Sequence, residues 1–130
     1  MSRPDQRQHA RVKTSNLISY VCCDTAGRRL KQGMGHAVDI SQNGLMLECE
    51  SPIEFESISL MSVDPQDQLI EIWGTVAYSR RSPNGSYRIG IKFCGTRDEN
   101  IRFAASLIKT FHYRRRKSTS QLKAKSATPD

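Results

Sequence analysis

Nowhere in the 130 residues is there an uninterrupted apolar run of the ~18 or more that would cross a bilayer as a helix. No membrane span is therefore expected. The opening segment, MSRPDQRQHAR, lacks the apolar centre of a secretion signal, and the expected location is the cytoplasm. Cysteine is sparse. Cys22, Cys23, Cys49 and Cys94 form no C-x-x-C pair and match no zinc-ligand spacing, so they read as reduced, mostly buried thiols rather than a metal or redox site. Catalytic pairings are missing as well. His9, His36 and His112 fall in an expected arm, loop and helix end, and no motif ties any of them to a cysteine. No catalytic residue, metal ligand or cofactor is assigned, and an enzyme is not expected.

The charge is present but unevenly placed. The formal net charge is +7, yet residues 114–130 hold six Lys or Arg against one Asp, and residues 1–13 hold four against one. What lies between is close to neutral. A protein that grips a long polyanion more often carries its basic face on the folded body. Aromatics make up 7% of the chain, and Tyr87 and Phe93 fall on the apolar side of their strand. Both observations argue against nucleic acid as a partner.

Period-two alternation dominates the middle of the chain. In SYRIGIKF, Tyr87, Ile89, Ile91 and Phe93 share one face; in GLMLECE, Leu45, Leu47 and Cys49 do. LIEIWGTVAYS puts Ile70, Ile72, Val76 and Tyr78 together, with Gly74 as a bend and Trp73 on the other side, where core packing is expected ahead of covering the helix side or partial exposure. NLISYVCC and SISLMSV are further strands, and DTAG, VDPQDQ and SPNG are turns between them. Six short strands with hairpin spacing read as a small antiparallel β-barrel or sandwich. The period then changes. Ile101, Ala104, Ile108 and Phe111 recur at helical spacing, with Leu107 alongside, after a T-x-x-E capping box at Thr96 and Glu99. The expected layout is an N-terminal arm at 1–12, a barrel at 13–95, a C-terminal amphipathic helix at 96–116 and a disordered basic tail at 117–130.

DISQNG, residues 39–44, closes one strand-like run. Strict alternation sends Val38 and Ile40 inward, leaving Asp39 and Ser41 side by side on the barrel exterior. Gly44 permits an unusual backbone conformation or leaves room for a ligand. Arg7 and Arg11 in RQHAR are four apart and can converge on one anion. Guanine's O6 and N7 match the fork of an arginine, its N1–H and N2–H₂ match a carboxylate, and phosphate takes the remaining guanidinium donors. Two arginines, an acid, a hydroxyl and a glycine therefore suit a guanine nucleotide with exposed phosphate.

R-x-x-x-R at Arg7–Arg11 followed by D-x-S-x-x-G at Asp39–Gly44 resembles the PilZ domain, a family of bacterial receptors for cyclic di-GMP. The resemblance covers residues 5–113, including YRIGIKF and the helix after it. It implies a six-stranded antiparallel split barrel with a C-terminal helix. It implies cyclic di-GMP as the ligand, with Arg7 and Arg11 clamping phosphates and guanine edges, Asp39 and Ser41 holding a guanine, and Gly44 making space. Asn43, Gln6 and Arg88 are supporting candidates. Gln6 precedes the first motif arginine where some members carry another arginine, and that leaves one ligand or a stacked pair open. The expected mechanism is an arm that orders on binding and signals to an unidentified effector protein. The alternatives are a PilZ-like adaptor that binds no nucleotide and a small nucleic-acid-binding barrel.

Overall fold

The computed structural model describes residues 11–127, with side chains through Arg116. Six strands run Val12–Cys23 (β1), Arg29–Ile40 (β2), Gly44–Cys49 (β3), Ser57–Val63 (β4), Leu69–Arg81 (β5) and Tyr87–Phe93 (β6), and one helix, α1, runs Arg97–Ala127. Every pairing is antiparallel, and the order β1-β2-β3-β6-β5-β4 closes on itself. Three hairpins share one turn geometry. At Asp24–Arg28, Asp64–Gln68 and Ser82–Ser86 the first N–H bonds the carbonyl four residues on, and the first carbonyl accepts from the fourth residue. That fourth residue, Gly27, Asp67 or Gly85, has positive φ, as a three-residue loop with a left-handed last position requires. Asp24 and Asp64 also accept backbone N–H bonds within their own turns, which is the reason an acid opens each.

Alternation delivers the core as expected on β3 and β6: Leu45, Leu47, Cys49, Ile89, Ile91 and Phe93 are buried. It fails where the ladders slip. A register shift between Ala37 and Asp39 makes Val38 the extra residue of a β-bulge, so Ala37, not Val38, joins Ile40 in the core. A second shift between Val76 and Tyr78 turns Tyr78 outward, where alternation had put it inside. A bulge adds one residue, and side-chain parity reverses beyond it. His36, expected in a loop, lies on β2 opposite Leu17. Trp73 is half exposed rather than packed in the core; it faces outward beside Cys94, Arg102 and Phe103 of a shallow groove.

The helix opens with the anticipated box: Glu99 N–H donates to Thr96 Oγ1 at 3.1 Å, and Thr96 N–H to Glu99 Oε1 at 2.8 Å. Its buried face, however, is Phe103, Ala104, Leu107 and Thr110, whereas Ile101, Ile108 and Phe111 are only partly covered. Phe103 sets this rotation by packing edge-on against Phe93, with centroids 5.5 Å apart. Asn16 Nδ2 donates to Leu107 O and Thr110 Oγ1 to Val63 O, fastening the helix between β1 and β4. The helical backbone continues to Ala127, past the expected end at 116. Residues 117–127 contain no glycine or proline and several strong helix formers, so nothing in them stops the helix.

Tyr20, buried in the core, is hydrogen-bonded to the Cys49 thiol, and burial above all pushes its phenol up to about 12 from the ordinary 10.0. Burial likewise raises the thiols of Cys22 and Cys49 above 9.0. These groups favour the folded state fully below their ordinary values, and that contribution is lost as pH rises through the folded ones. Alkaline unfolding is the expected result. In Tyr20→Phe, the stability lost between about pH 8 and pH 11 should shrink by about 1.4 kcal/mol. Urea titrations at both pH values check it; an unchanged difference would remove Tyr20 as a contributor.

Candidate functional site

Asp39 stands near the end of β2 with a ladder slip on either side of it. On one side the β1–β2 register shifts between Lys13 and Asn16; on the other the β2–β3 register shifts at Val38. Both ladders therefore break just where the acid must be re-aimed, and Asp39 comes to face outward between Lys13 and Met46. Its carboxylate is largely covered. Arg11 Nη1 donates to Asp39 Oδ1 at 3.3 Å, and Lys13 Nζ lies 3.8 Å from Oδ2. Arg11 is half exposed and immediately precedes β1, so it is already seated on the barrel wall. Arg7 and Gln6 lie outside the described residues.

The loop after Asp39 is held by its own atoms. Ser41 N–H donates to Gly44 O at 2.9 Å, and the Ser41 hydroxyl, also buried, contacts Gly44 O at 3.3 Å and accepts from Asn43 N–H at 3.4 Å. Asn43 O accepts from Phe93 N–H at 2.8 Å, so the loop is pinned to the end of β6. Gly44 is not the flexible position foreseen from sequence. Positive φ among the described residues occurs at Gly27, Asp67 and Gly85, and a Cβ on Gly44 would stand 2.1 Å from Ile91 O. The glycine admits the backbone of β6, and the space it leaves is filled by protein.

Beyond Asp39 the outer face runs across the sheet as Met46, Gly90 and Tyr78, each paired with the next. A Cβ on Gly90 would meet the Tyr78 ring at 2.3 Å, so the ring packs on a bare stretch of backbone. Its hydroxyl is 3.8 Å from Met46 Sδ, and the Arg80 guanidinium sits 4.8 Å above its centroid. Arg80 pairs with Arg88 across β5 and β6. Arg88 Nε lies 3.9 Å from Glu48 Oε2. The Glu48 carboxyl is held below the ordinary carboxylate range, first by the Ser86 hydroxyl at 2.7 Å and then by Arg88. Sequence reasoning missed Lys13 and Tyr78. Lys13 was visible as the same-face neighbour of Arg11; Tyr78 was hidden by the extra residue before it. Among the described residues no group of His, Cys, Asp and Glu could hold a metal ion, and no helix is long and apolar enough to cross a membrane.

The arrangement offers an acid between two cations, bordered by an exposed aromatic plane with two more cations beyond. It suits a planar base with donors on one edge and phosphate nearby. Solved structures resemble the chain in fold. The Bacillus subtilis inhibitor of motility MotI/DgrA aligns with a TM-score of 0.57 at 16% identity over 92% of this chain and 53% of its own. This chain thus spans about half of that one. The PilZ domain of Escherichia coli YcgR, solved with c-di-GMP, gives 0.55 at 10% identity over 88% and 98%. The K. pneumonia MrkH–c-di-GMP complex gives 0.57 at 15% identity over 98% and 57%. A search of curated proteins gives no match. The family model described as PilZ domain matches residues 5–109, and with a closed six-stranded antiparallel barrel and a C-terminal helix the chain belongs to the PilZ domain family.

Proposed function

We propose that the protein is a cytoplasmic receptor for cyclic di-GMP, acting through a partner protein rather than by catalysis. The observation that carries this reading is the Arg11–Asp39 pair, 3.3 Å apart, on the wall of a PilZ barrel. Asp39 accepts the N1–H and N2–H₂ of a guanine, while Arg11 turns its remaining donors to O6, N7 or phosphate. Arg7 joins it from the N-terminal side. Ser41 and Gly44 act one step back, holding the turn that positions the carboxylate, and Asn43 pins that turn to β6 through its carbonyl. Tyr78 offers a stacking face when Arg80, now over its ring, turns to a phosphate. Arg80 and Arg88 border it as cations for a phosphate, and with Gln6 they bear on whether one ligand or a stacked pair is held.

Arg11 is already held on the barrel wall through Asp39, so binding would redirect its donors to the ligand rather than bring it in. Calorimetric titration with cyclic di-GMP tests the whole reading. Binding is expected, with affinity falling about tenfold in Tyr78→Ala, since base–aromatic stacking is worth roughly 1–3 kcal/mol. A two-phosphate ligand gripped through its bases should also lose little affinity as salt rises, unlike a polynucleotide. Absence of heat at saturating nucleotide would leave the adaptor reading standing in its place.

A further inference from the structure

Three large apolar side chains lie open to solvent on one flank of the barrel: Leu17, Met34 and Leu69 are 52%, 56% and 71% exposed. They are neighbours in register. Ser19 on β1 faces Met34 on one side and Met61 on the other, and Val63 faces Leu69. Phe111 and Arg114 of α1 form the opposite wall, and the groove between measures about 590 Å³. Contiguous apolar surface of this kind on a soluble domain marks a place where something binds. Its methionines give it a surface that adapts to what it meets. Asn16, 7% exposed, lines the same groove, and its Oδ1 has no hydrogen-bond partner.

The backbone chemistry around the groove selects the kind of occupant. The β1–β4 ladder ends at Ser19–Met61, and beyond it the Ser62 hydroxyl joins β4 to Leu17 O of β1. Addition of a strand would need free main-chain groups there. Two strand carbonyls there are already taken: Leu17 O accepts from the Ser62 hydroxyl and Val63 O from the Thr110 hydroxyl. A helix satisfies its own backbone and offers apolar side chains on one face, so it fits where a strand does not. Charge selects its flank. Arg114 and Arg115 stand on the rim, and the acid beside them, Asp67, is paired with Arg114 at 3.2 Å. A second copy of this chain would bring another Arg114–Arg116 run to the same contact, which like-charge repulsion disfavours.

We propose that this groove docks an amphipathic helix of a partner protein, its apolar face laid between β1, β4 and α1 and its flank rich in Asp and Glu. The site stands apart from the Arg11–Asp39 pair and does not depend on the nucleotide reading. The test uses the full chain without nucleotide and a fluorescent synthetic helix with leucines at i, i+3, i+4 and i+7 flanked by glutamates. Its counterpart carries lysines in place of the glutamates. The glutamate peptide should bind about tenfold more tightly than the lysine peptide, and Leu17→Glu or Leu69→Glu should each weaken it by about tenfold or more. Both positions face solvent, so melting curves should match wild type. No saturable binding, equal affinity for the two peptides, or binding indifferent to both substitutions would overturn the proposal. So would sedimentation showing a wild-type dimer that Leu17→Glu disperses, which would assign the groove to a second copy.

Discussion

Arg11→Ala should weaken cyclic di-GMP binding by about one to two orders of magnitude, since a bidentate arginine–guanine pair is worth roughly 1–3 kcal/mol. The fold should hardly notice. The Arg11–Asp39 pair is half exposed on the arginine side, and such surface pairs contribute about 0–1 kcal/mol, a few degrees of melting temperature at most. Asp39→Asn should lose about tenfold in affinity, because an amide presents a donor where the guanine edge also presents one. It leaves Arg11 and Lys13 in water rather than stranded in the interior. Calorimetry beside thermal melting separates the two effects. Wild-type affinity in Arg11→Ala would end the clamp.

Gly44→Ala should behave in the opposite way, damaging the fold before the site. The added Cβ would stand 2.1 Å from Ile91 O, and neither backbone can retreat, since Gly44 is paired with Lys92 and Leu45 with Ile91 in the same ladder. Overpacking typically costs about 1–3 kcal/mol and occasionally more, and contact with a fixed carbonyl places this variant at or above the top of that range. A urea titration should show the loss, and any fall in nucleotide affinity should follow from it. If Gly44→Ala melted like wild type yet bound no nucleotide, the glycine would be clearing space for ligand after all.

How far the sequence could be read depended on whether a local rule decided the outcome. The capping box at Thr96 and Glu99, the Asp- and Gly-bearing turns and the alternation of β3 and β6 all obey chemistry that acts within a few residues, and they were legible. Asp39 does face outward, between Lys13 and Met46, although the reason was wrong, whereas Ser41, expected beside it on the exterior, is buried and bonded within its own turn. Alternation pointed Asp39 outward by counting from Val38, whereas the strand slips at Val38 and pairs Ala37 with the interior Leu47. Tyr78 shows the same blindness with the opposite result. One uncounted residue moved it from the supposed core to the surface. The helix face was misjudged because Phe103 finds Phe93, a meeting that no periodicity encodes. Gly44 was misread because its reason is a carbonyl some fifty positions away, on β6.

The slips at Val38 and before Tyr78 mean that the spelling of the motif and the shape of the site are separable. A chain could keep D-x-S-x-x-G letter for letter and, by pairing Val38 regularly instead of slipping there, send its acid into the interior, since unbroken alternation from the buried Ala37 turns Asp39 inward. Counting such signatures across genomes would then enrol proteins that cannot grip a nucleotide. A better criterion is arithmetic: whether the spacing that carries Asp39 and Tyr78 to the same side of the wall has survived.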